Sequence, residues 1–97
     1  MTRPDPEAYV EAVLQVVEQI PAGRVASYGD VAEAVGRGGP RQVGQVMARH
    51  GGAVPWWRVV RADGSLAKAD RQRALLAAEG VPFRGGRVDM SRARIPA

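Results

Sequence analysis

Ser27-Tyr28-Gly29-Asp30-Val31-Ala32-Glu33-Ala34-Val35-Gly36-Arg37-Gly38-Gly39-Pro40-Arg41-Gln42-Val43-Gly44-Gln45-Val46-Met47-Ala48-Arg49-His50 is the stretch that decides the fold. Ser27, with Asp30 three residues on, has the form of a capping box, in which each side chain accepts the other's backbone N–H. A helix is expected from there through Val31, Ala34 and Val35, with Gly36 stopping it. Arg37-Gly38-Gly39 connects. Pro40 suits a first helical position and opens a second helix through Val43, Val46 and Met47, which frays at His50-Gly51-Gly52. Two short helices joined by a tight glycine-containing turn are a helix-turn-helix candidate. Many such helix pairs have no nucleic-acid role, so the pattern speaks for the fold before it speaks for a function.

The second helix says more. Val43, Val46 and Met47 form its apolar stripe, and Arg41, Gly44, Gln45, Ala48 and Arg49 occupy the other side. Gly44 and Ala48 lie one turn apart. Glycine inside a helix is about 1 kcal/mol less favourable than alanine, and close approach of another surface is the usual compensation. A face of so little bulk can settle against a DNA backbone or into a widened minor groove. It can equally pack against another part of the same domain. Composition leaves both readings open.

Upstream, Asp5-Pro6 is a helix start, with Asp5 as N-cap and Glu7 in the first turn. Val10, Val13, Leu14 and Val17 make one apolar stripe, Ile20 ends it, and Pro21-Ala22-Gly23 turns the chain. Arg24-Val25-Ala26 is a short extended link. Downstream comes Val54-Pro55-Trp56-Trp57-Arg58-Val59-Val60, which holds two of the five aromatic side chains. Pro55 keeps the chain extended and outside any helix, and Val59-Val60 opens a short buried strand. One indole can pack into the core while the other lines a pocket, or both can be core. Arg61-Ala62-Asp63-Gly64-Ser65 reads as a hairpin turn with Leu66-Ala67 returning. Asp70 is placed to cap a helix through Ala74, Leu75, Leu76 and Ala78 that ends at Glu79-Gly80. Val81-Pro82-Phe83 and Arg87-Val88 flank Gly85-Gly86 as a second small hairpin, and the arginine-bearing tail is expected to be loose.

Length and charge set the bounds. Ninety-seven residues suggest one domain over 1–97, with a core at about 7–83 and a basic C-terminal tail over 84–97. Thirteen of the fourteen basic residues are arginine. Met1 to Ile20 holds four acids and one arginine, whereas Pro21 to Arg61 holds six arginines and two acids. An acidic start beside a basic middle suggests a polyanion on one face, or arginine used only as a solubilising charge. The chain has no cysteine, which removes thiolate nucleophiles and cysteine metal sites. With His50 as its one histidine, neither a metal site nor a cofactor is expected. No apolar run is long enough to cross a membrane, and Met1-Thr2-Arg3-Pro4-Asp5 leads directly into a helix without a signal peptide. A cytoplasmic location is expected.

Four motifs in order carry a resemblance. These are Gly23-Arg24-Val25-Ala26-Ser27-Tyr28-Gly29-Asp30-Val31-Ala32; Pro40-Arg41-Gln42-Val43-Gly44; Val54-Pro55-Trp56-Trp57-Arg58-Val59-Val60 with Gly64; and Leu75-Leu76-Ala77-Ala78-Glu79-Gly80-Val81. From about Glu7 to Phe83 the chain resembles the DNA-binding domain of O6-alkylguanine-DNA alkyltransferases. More closely, it resembles the alkyltransferase-like proteins, which keep that domain and lack the acceptor cysteine. The family's reactive motif is Pro-Cys-His-Arg, and Trp56 stands where the cysteine would be.

The resemblance implies a mainly α fold with small β-hairpins, a winged helix-turn-helix whose second helix lies in the minor groove. It implies that Tyr28 pushes on the target nucleotide's phosphate and helps rotate it out of the duplex, with Ser27 beside it at a helix N-terminus suited to phosphate. Arg41 fills the gap in the stack, and Gly44 and Gln45 belong to the DNA-facing helix. Trp56 and Val59, with Tyr28, line the pocket for the extruded base. Related proteins often carry an arginine just past the hairpin that stacks on the damaged base. Ala69 stands there, which leaves its neighbour Lys68 to supply the cation. Trp57 replaces the histidine that would activate a thiol, and Glu79 matches the carboxylate of that relay, left without its partners and structural.

The expected function is a monomeric, non-enzymatic damage-recognition protein, nucleoid-associated when bound. It would bind double-stranded DNA, flip O6-alkylguanine into a pocket and hold it for nucleotide excision repair. A winged-helix regulator reading undamaged sequence is the alternative, and an enzyme using Glu79 with His50 is a third class.

Overall fold

The computed structural model describes residues 6–96, so the expected cap at Asp5 lies outside the described residues. Helix α1 spans Pro6–Glu18 and buries Val13 and Val17. Helix α2 spans Tyr28–Val35 and α3 spans Pro40–His50. The Ser27 capping box forms as expected: Ser27 Oγ accepts Asp30 N–H at 3.0 Å, and Asp30 Oδ2 accepts Ser27 N–H at 3.0 Å. Gly36 closes α2 in the left-handed conformation, φ 90°, where a Cβ would be strained. Helices α1, α2 and α3 enclose one apolar cluster that includes Val13, Val17, Val31, Val43 and Val46.

The seam of the molecule is a two-residue parallel pairing. Strand β1, Ala26–Ser27, pairs with β2, Val59–Val60, in the register Ala26 to Val59 and Ser27 to Val60. Successive side chains on a strand point to opposite faces. Ala26 and Val59 accordingly enter the α1–α3 cluster, while Val25 and Val60 enter a second cluster with Leu76, Val81, Val88 and Ala93. Both faces are covered, as parallel strands require. Helix α4, Ala69–Ala78, packs on this second side through Leu76. Strands β3, Phe83–Arg84, and β4, Arg87–Val88, form the hairpin expected around Gly85-Gly86.

Four local expectations are corrected. The Asp63-Gly64 turn forms, with Gly64 N–H on the Arg61 carbonyl at 2.8 Å, but Leu66-Ala67 does not return as a strand. Strand β2 pairs with β1 instead, and the turn is used to dock β4: Val88 N–H donates to the Gly64 carbonyl at 2.9 Å. Gly64 sits at φ 85°, and a Cβ there would lie 2.3 Å from the Val88 carbonyl oxygen. Gly64→Ala is therefore expected to destabilise the fold by about 2 kcal/mol, read as a lowered midpoint in chemical denaturation.

Asp70 does not cap α4. It lies inside the first turn, and Gln72 does the work by accepting the Lys68 N–H at 3.1 Å. Nor does the chain stay extended past Pro55. Val54 is extended, but Trp56–Arg58 close a single 3-10 turn.

The C-terminal segment is also not loose. Helix α5, Met90–Ala93, is capped by Asp89, and Arg94 bridges to Val25 in parallel. Ala93 is buried and Ile95 packs on the first cluster. A free edge at Val25 and two apolar side chains at alternate positions give that segment somewhere to go. Among the described residues, no helix is long and apolar enough to cross a membrane.

Candidate nucleic-acid interface and base pocket

The site grows from the start of α2. The Ser27 cap makes Tyr28 the first residue of the helix, and its half-buried ring packs against the edge of the first apolar cluster while also lining the cavities described below. Burial pushes the Tyr28 hydroxyl above its ordinary pKa, opposed by the positive charge of Arg61. The phenol is thus neutral at physiological pH and keeps its O–H as a donor.

Across from it, α3 turns Val43 and Val46 inward and leaves Arg41, Gln45, Ala48 and Arg49 exposed. Gly44 resolves the ambiguity of the small helical face. A Cβ built there meets no atom within 4 Å. The glycine is therefore not demanded by packing inside the domain, and the space beside it is open.

That space is a pair of adjoining cavities of about 440 and 650 Å³, both lined by Tyr28, Gly44 and Ala67. The smaller also takes Gly29, Pro40, Arg41, Arg61 and Ala62. The larger is walled by Met47, Ala48, Gly51 and Gly52 on the α3 side, by Trp56, and by Lys68, Arg71 and Gln72 from α4 and the residue before it.

The 3-10 turn sends the two indoles different ways. Their centroids are 5.9 Å apart with planes at 87°. Trp56 lines the larger cavity. Trp57 packs against the second apolar cluster, and its Nε1–H donates to Glu79 Oε2 at 3.0 Å. Glu79 has neither a cysteine nor a histidine beside it, and it is the centre of a structural cluster. Its carboxylate also accepts Arg58 Nε at 3.0 Å, Arg58 Nη2 at 2.6 Å and Gly23 N–H at 3.4 Å. Arg58 Nη1 continues to the Ile20 carbonyl at 2.8 Å. The Arg58 hydrogen bonds hold the Glu79 carboxyl below its usual pKa, against a smaller opposing effect of burial. The cluster ties α1's end, the 3-10 turn and α4's end together, and neither Arg58 nor Glu79 lines either of the two cavities. Among the described residues, no hydrogen bond or ion pair joins Glu79 to His50, which is exposed at the end of α3.

The sequence-derived residues divide. Tyr28, Arg41, Gly44, Trp56 and Lys68 surround the cavities. Ser27 is 6% exposed and lines neither, its Oγ being engaged by Asp30 N–H. Gln45 is exposed on α3 but lines neither. Val59 is corrected: its side chain is fully buried in the first cluster, because its register opposite Ala26 points it there, and its carbonyl accepts Gln72 Nε2 at 2.9 Å.

Two residues were missed. The Arg71 guanidinium lies 5.7 Å from the Trp56 ring centroid, within cation–π range. Gln72 is 1% exposed and donates to the carbonyls of both Trp57 and Val59, strapping α4 behind the pocket. The signal was present, since Lys68, Arg71 and Gln72 stand at i, i+3 and i+4 and so share one helix face.

Residues 8–81 match the family model described as 6-O-methylguanine DNA methyltransferase, DNA binding domain. The chain belongs to this family. Among its relatives is the DNA base-flipping protein of Escherichia coli, 41% identical over 96 residues, covering 91% of this chain and 74% of the relative. The alkyltransferase-like protein of Schizosaccharomyces pombe is 38% identical over 87 residues, covering 77% of this chain and 78% of that one.

The family's folds agree. The crystal structure of the S. pombe alkyltransferase-like protein with damaged DNA containing O6-carboxymethylguanine superposes with a TM-score of 0.85 at 29% identity, covering 97% of this chain and all of that one. The Mycobacterium tuberculosis OGT in complex with DNA gives 0.67 at 33% identity, covering 79% of this chain and 51% of that one. The mainly helical fold with small sheets is the one these structures share.

Proposed function

We propose that this chain is a non-enzymatic DNA-damage recognition protein. It binds duplex DNA with α3 in the minor groove, rotates an O6-alkylated guanine out of the stack, and holds it in the cavity walled by Trp56. The observation that carries the reading is the open 650 Å³ cavity between α3 and α4, with Tyr28 and Trp56 on its walls and no filler beside Gly44.

The chemistry is consistent. Extruding a base costs a few kcal/mol, and less where pairing is already weak. O6-alkylation weakens pairing to cytosine, so the lesion is the cheaper base to extract. Tyr28, with a neutral phenol at the junction of the two cavities, is placed to donate to a phosphate. Arg41 stands in the smaller cavity, where it can fill the vacated stack. Trp56 offers a π-face to the base, and Arg71 with Lys68 supplies the cation that Ala69 does not. A chain without cysteine has no thiolate to accept the alkyl group. The lesion would then leave the complex unchanged, which fits a handover to nucleotide excision repair in the cytoplasm. A regulator reading base edges would need long side chains along α3. Gly44 and Ala48 both line the larger cavity and supply none.

The holding step is tested by incubating the protein with an equimolar duplex carrying one O6-methylguanine. A shifted complex is expected, with the intact mass of the protein unchanged and the lesion recovered whole from the DNA. A mass gain of one methyl group with loss of the lesion would overturn the reading.

A further inference from the structure

The segment after Val81 lies beyond the part of the chain that the family model matches, yet it ends against the start of α2. Val25 N–H donates to the Ala93 carbonyl at 3.0 Å, and Ile95 N–H returns to the Val25 carbonyl at 2.8 Å. Arg94, between them, reaches the Asp30 carboxylate with both arms of its guanidinium. Nε lies 2.8 Å from Oδ2, and Nη2 bonds Oδ1. Asp30 Oδ2 is also the acceptor of Ser27 N–H, the bond that starts α2 just before Tyr28.

One carboxylate therefore joins the C-terminal segment to the helix end that carries Tyr28. The Asp30 side chain is 13% exposed and that of Arg94 50% exposed, so the acid is enclosed while its partner reaches in from the surface. Two-armed arginine–carboxylate pairing fixes orientation as well as distance. Without Arg94, the enclosed carboxylate is drawn outward toward water. Rotation gives up the Ser27 N–H, and with it half of the cap that sets the direction of the Tyr28 ring.

We infer that Arg94 is a positioning residue for Tyr28: by locking the Asp30 carboxylate into the α2 cap, it holds the ring where the two cavities meet. The inference rests on the pocket reading above for its consequence in DNA binding, but not for its consequence in the free protein.

The test uses the full chain as Arg94→Gln, Arg94→Lys, Tyr28→Ala and the Arg94→Gln/Tyr28→Ala double variant. In the free protein, Arg94→Gln is expected to speed hydrogen exchange at the Ser27 amide about tenfold and to move the Tyr28 ring resonances. The melting temperature should fall as well, since the carboxylate left behind is 13% exposed, so exchange and resonances are compared at a temperature where both proteins are fully folded. Arg94→Lys should restore the exchange rate only in part, because one ammonium cannot span both oxygens. Unchanged Ser27 exchange and unchanged Tyr28 resonances would overturn the inference.

With DNA, Arg94→Gln is expected to lower the preference for a damaged over an undamaged duplex about fivefold, and to add no loss in the Tyr28→Ala background. A loss falling equally on both duplexes, or repeated in full without Tyr28, would make Arg94 a scaffold or phosphate charge and sink the inference. If the parent protein shows no damage preference, the pocket reading fails, and the measurements on free protein alone decide the role of Arg94.

Discussion

Trp56→Ala is expected to weaken binding of a duplex carrying one O6-alkylguanine by about 10- to 100-fold while leaving affinity for the undamaged duplex nearly unchanged. A base stacked on an aromatic side chain contributes about 1–3 kcal/mol, and Trp56 is the one indole that faces the cavity. Its Trp57 neighbour is turned through nearly a right angle and held by Glu79, so it cannot take over. Arg71 loses its ring partner in the same variant, which removes a second support for a flipped base. Because Trp56 is only partly buried, the folded state should survive. Anisotropy titrations of both duplexes, with a thermal melt of the variant, separate lost recognition from lost structure. Equal affinity of wild type and variant for the lesion would exclude Trp56 as the pocket wall.

Glu79→Ala should instead act on stability, by about 3 kcal/mol. The carboxylate accepts bonds from Trp57, Arg58 and Gly23, and its removal strands an arginine whose side chain is 16% exposed. Breaking such a pair from one side is more damaging than the pair's net contribution, because the remaining charge stays partly desolvated. The pH dependence follows from the lowered folded-state pKa of Glu79. The unfolded chain binds the proton first as pH falls, so the contribution is complete above the ordinary carboxylate range. It is lost as pH drops toward the lowered value. Asp30, lowered chiefly by its Arg94 hydrogen bond, has the same sign. Glu79→Gln should therefore lower stability at neutral pH and flatten its decline in acid, measured by denaturant midpoints across pH. A variant as stable as wild type at neutral pH would contradict the structural role.

Local rules read the helices well. The stripe of Val13 and Val17, the Ser27–Asp30 box, the Gly36 stop and Pro40 all rest on interactions within one or two turns, and each forms where its spacing requires. What failed depended on partners far along the chain. The resemblance puts Val59 in the pocket, but its pairing with Ala26, more than thirty residues earlier, turns it into the core. Leu66-Ala67 does not return as a strand, and the partner of β2 is β1, far earlier in the chain. The C-terminal arginines looked like a solvated tail because nothing local shows that Val25 has a free edge or that Asp30 awaits a guanidinium. Asp70 has a capping side chain, but the fold buries Gln72 between two carbonyls and gives it the Lys68 amide. Tyr28, Arg41, Gly44, Trp56 and Lys68, which the resemblance and the small face of α3 single out, do come together around the two cavities. Arg71 is not marked by the motif, which singles out the position of Ala69; it shows only as part of the helix face that Lys68, Arg71 and Gln72 share.

The most direct measurement is a binding titration at one fixed ionic strength, since phosphate contacts make any basic protein bind more tightly as salt falls. It compares a duplex carrying a single O6-methylguanine with the same duplex undamaged, following tryptophan fluorescence and a label on the DNA together. The account predicts clear preference for the damaged duplex and a fluorescence change that disappears in Trp56→Ala. Equal affinity for the two duplexes, with the indole signal unmoved, would contradict it and leave a DNA-binding domain that does not take a base into its pocket.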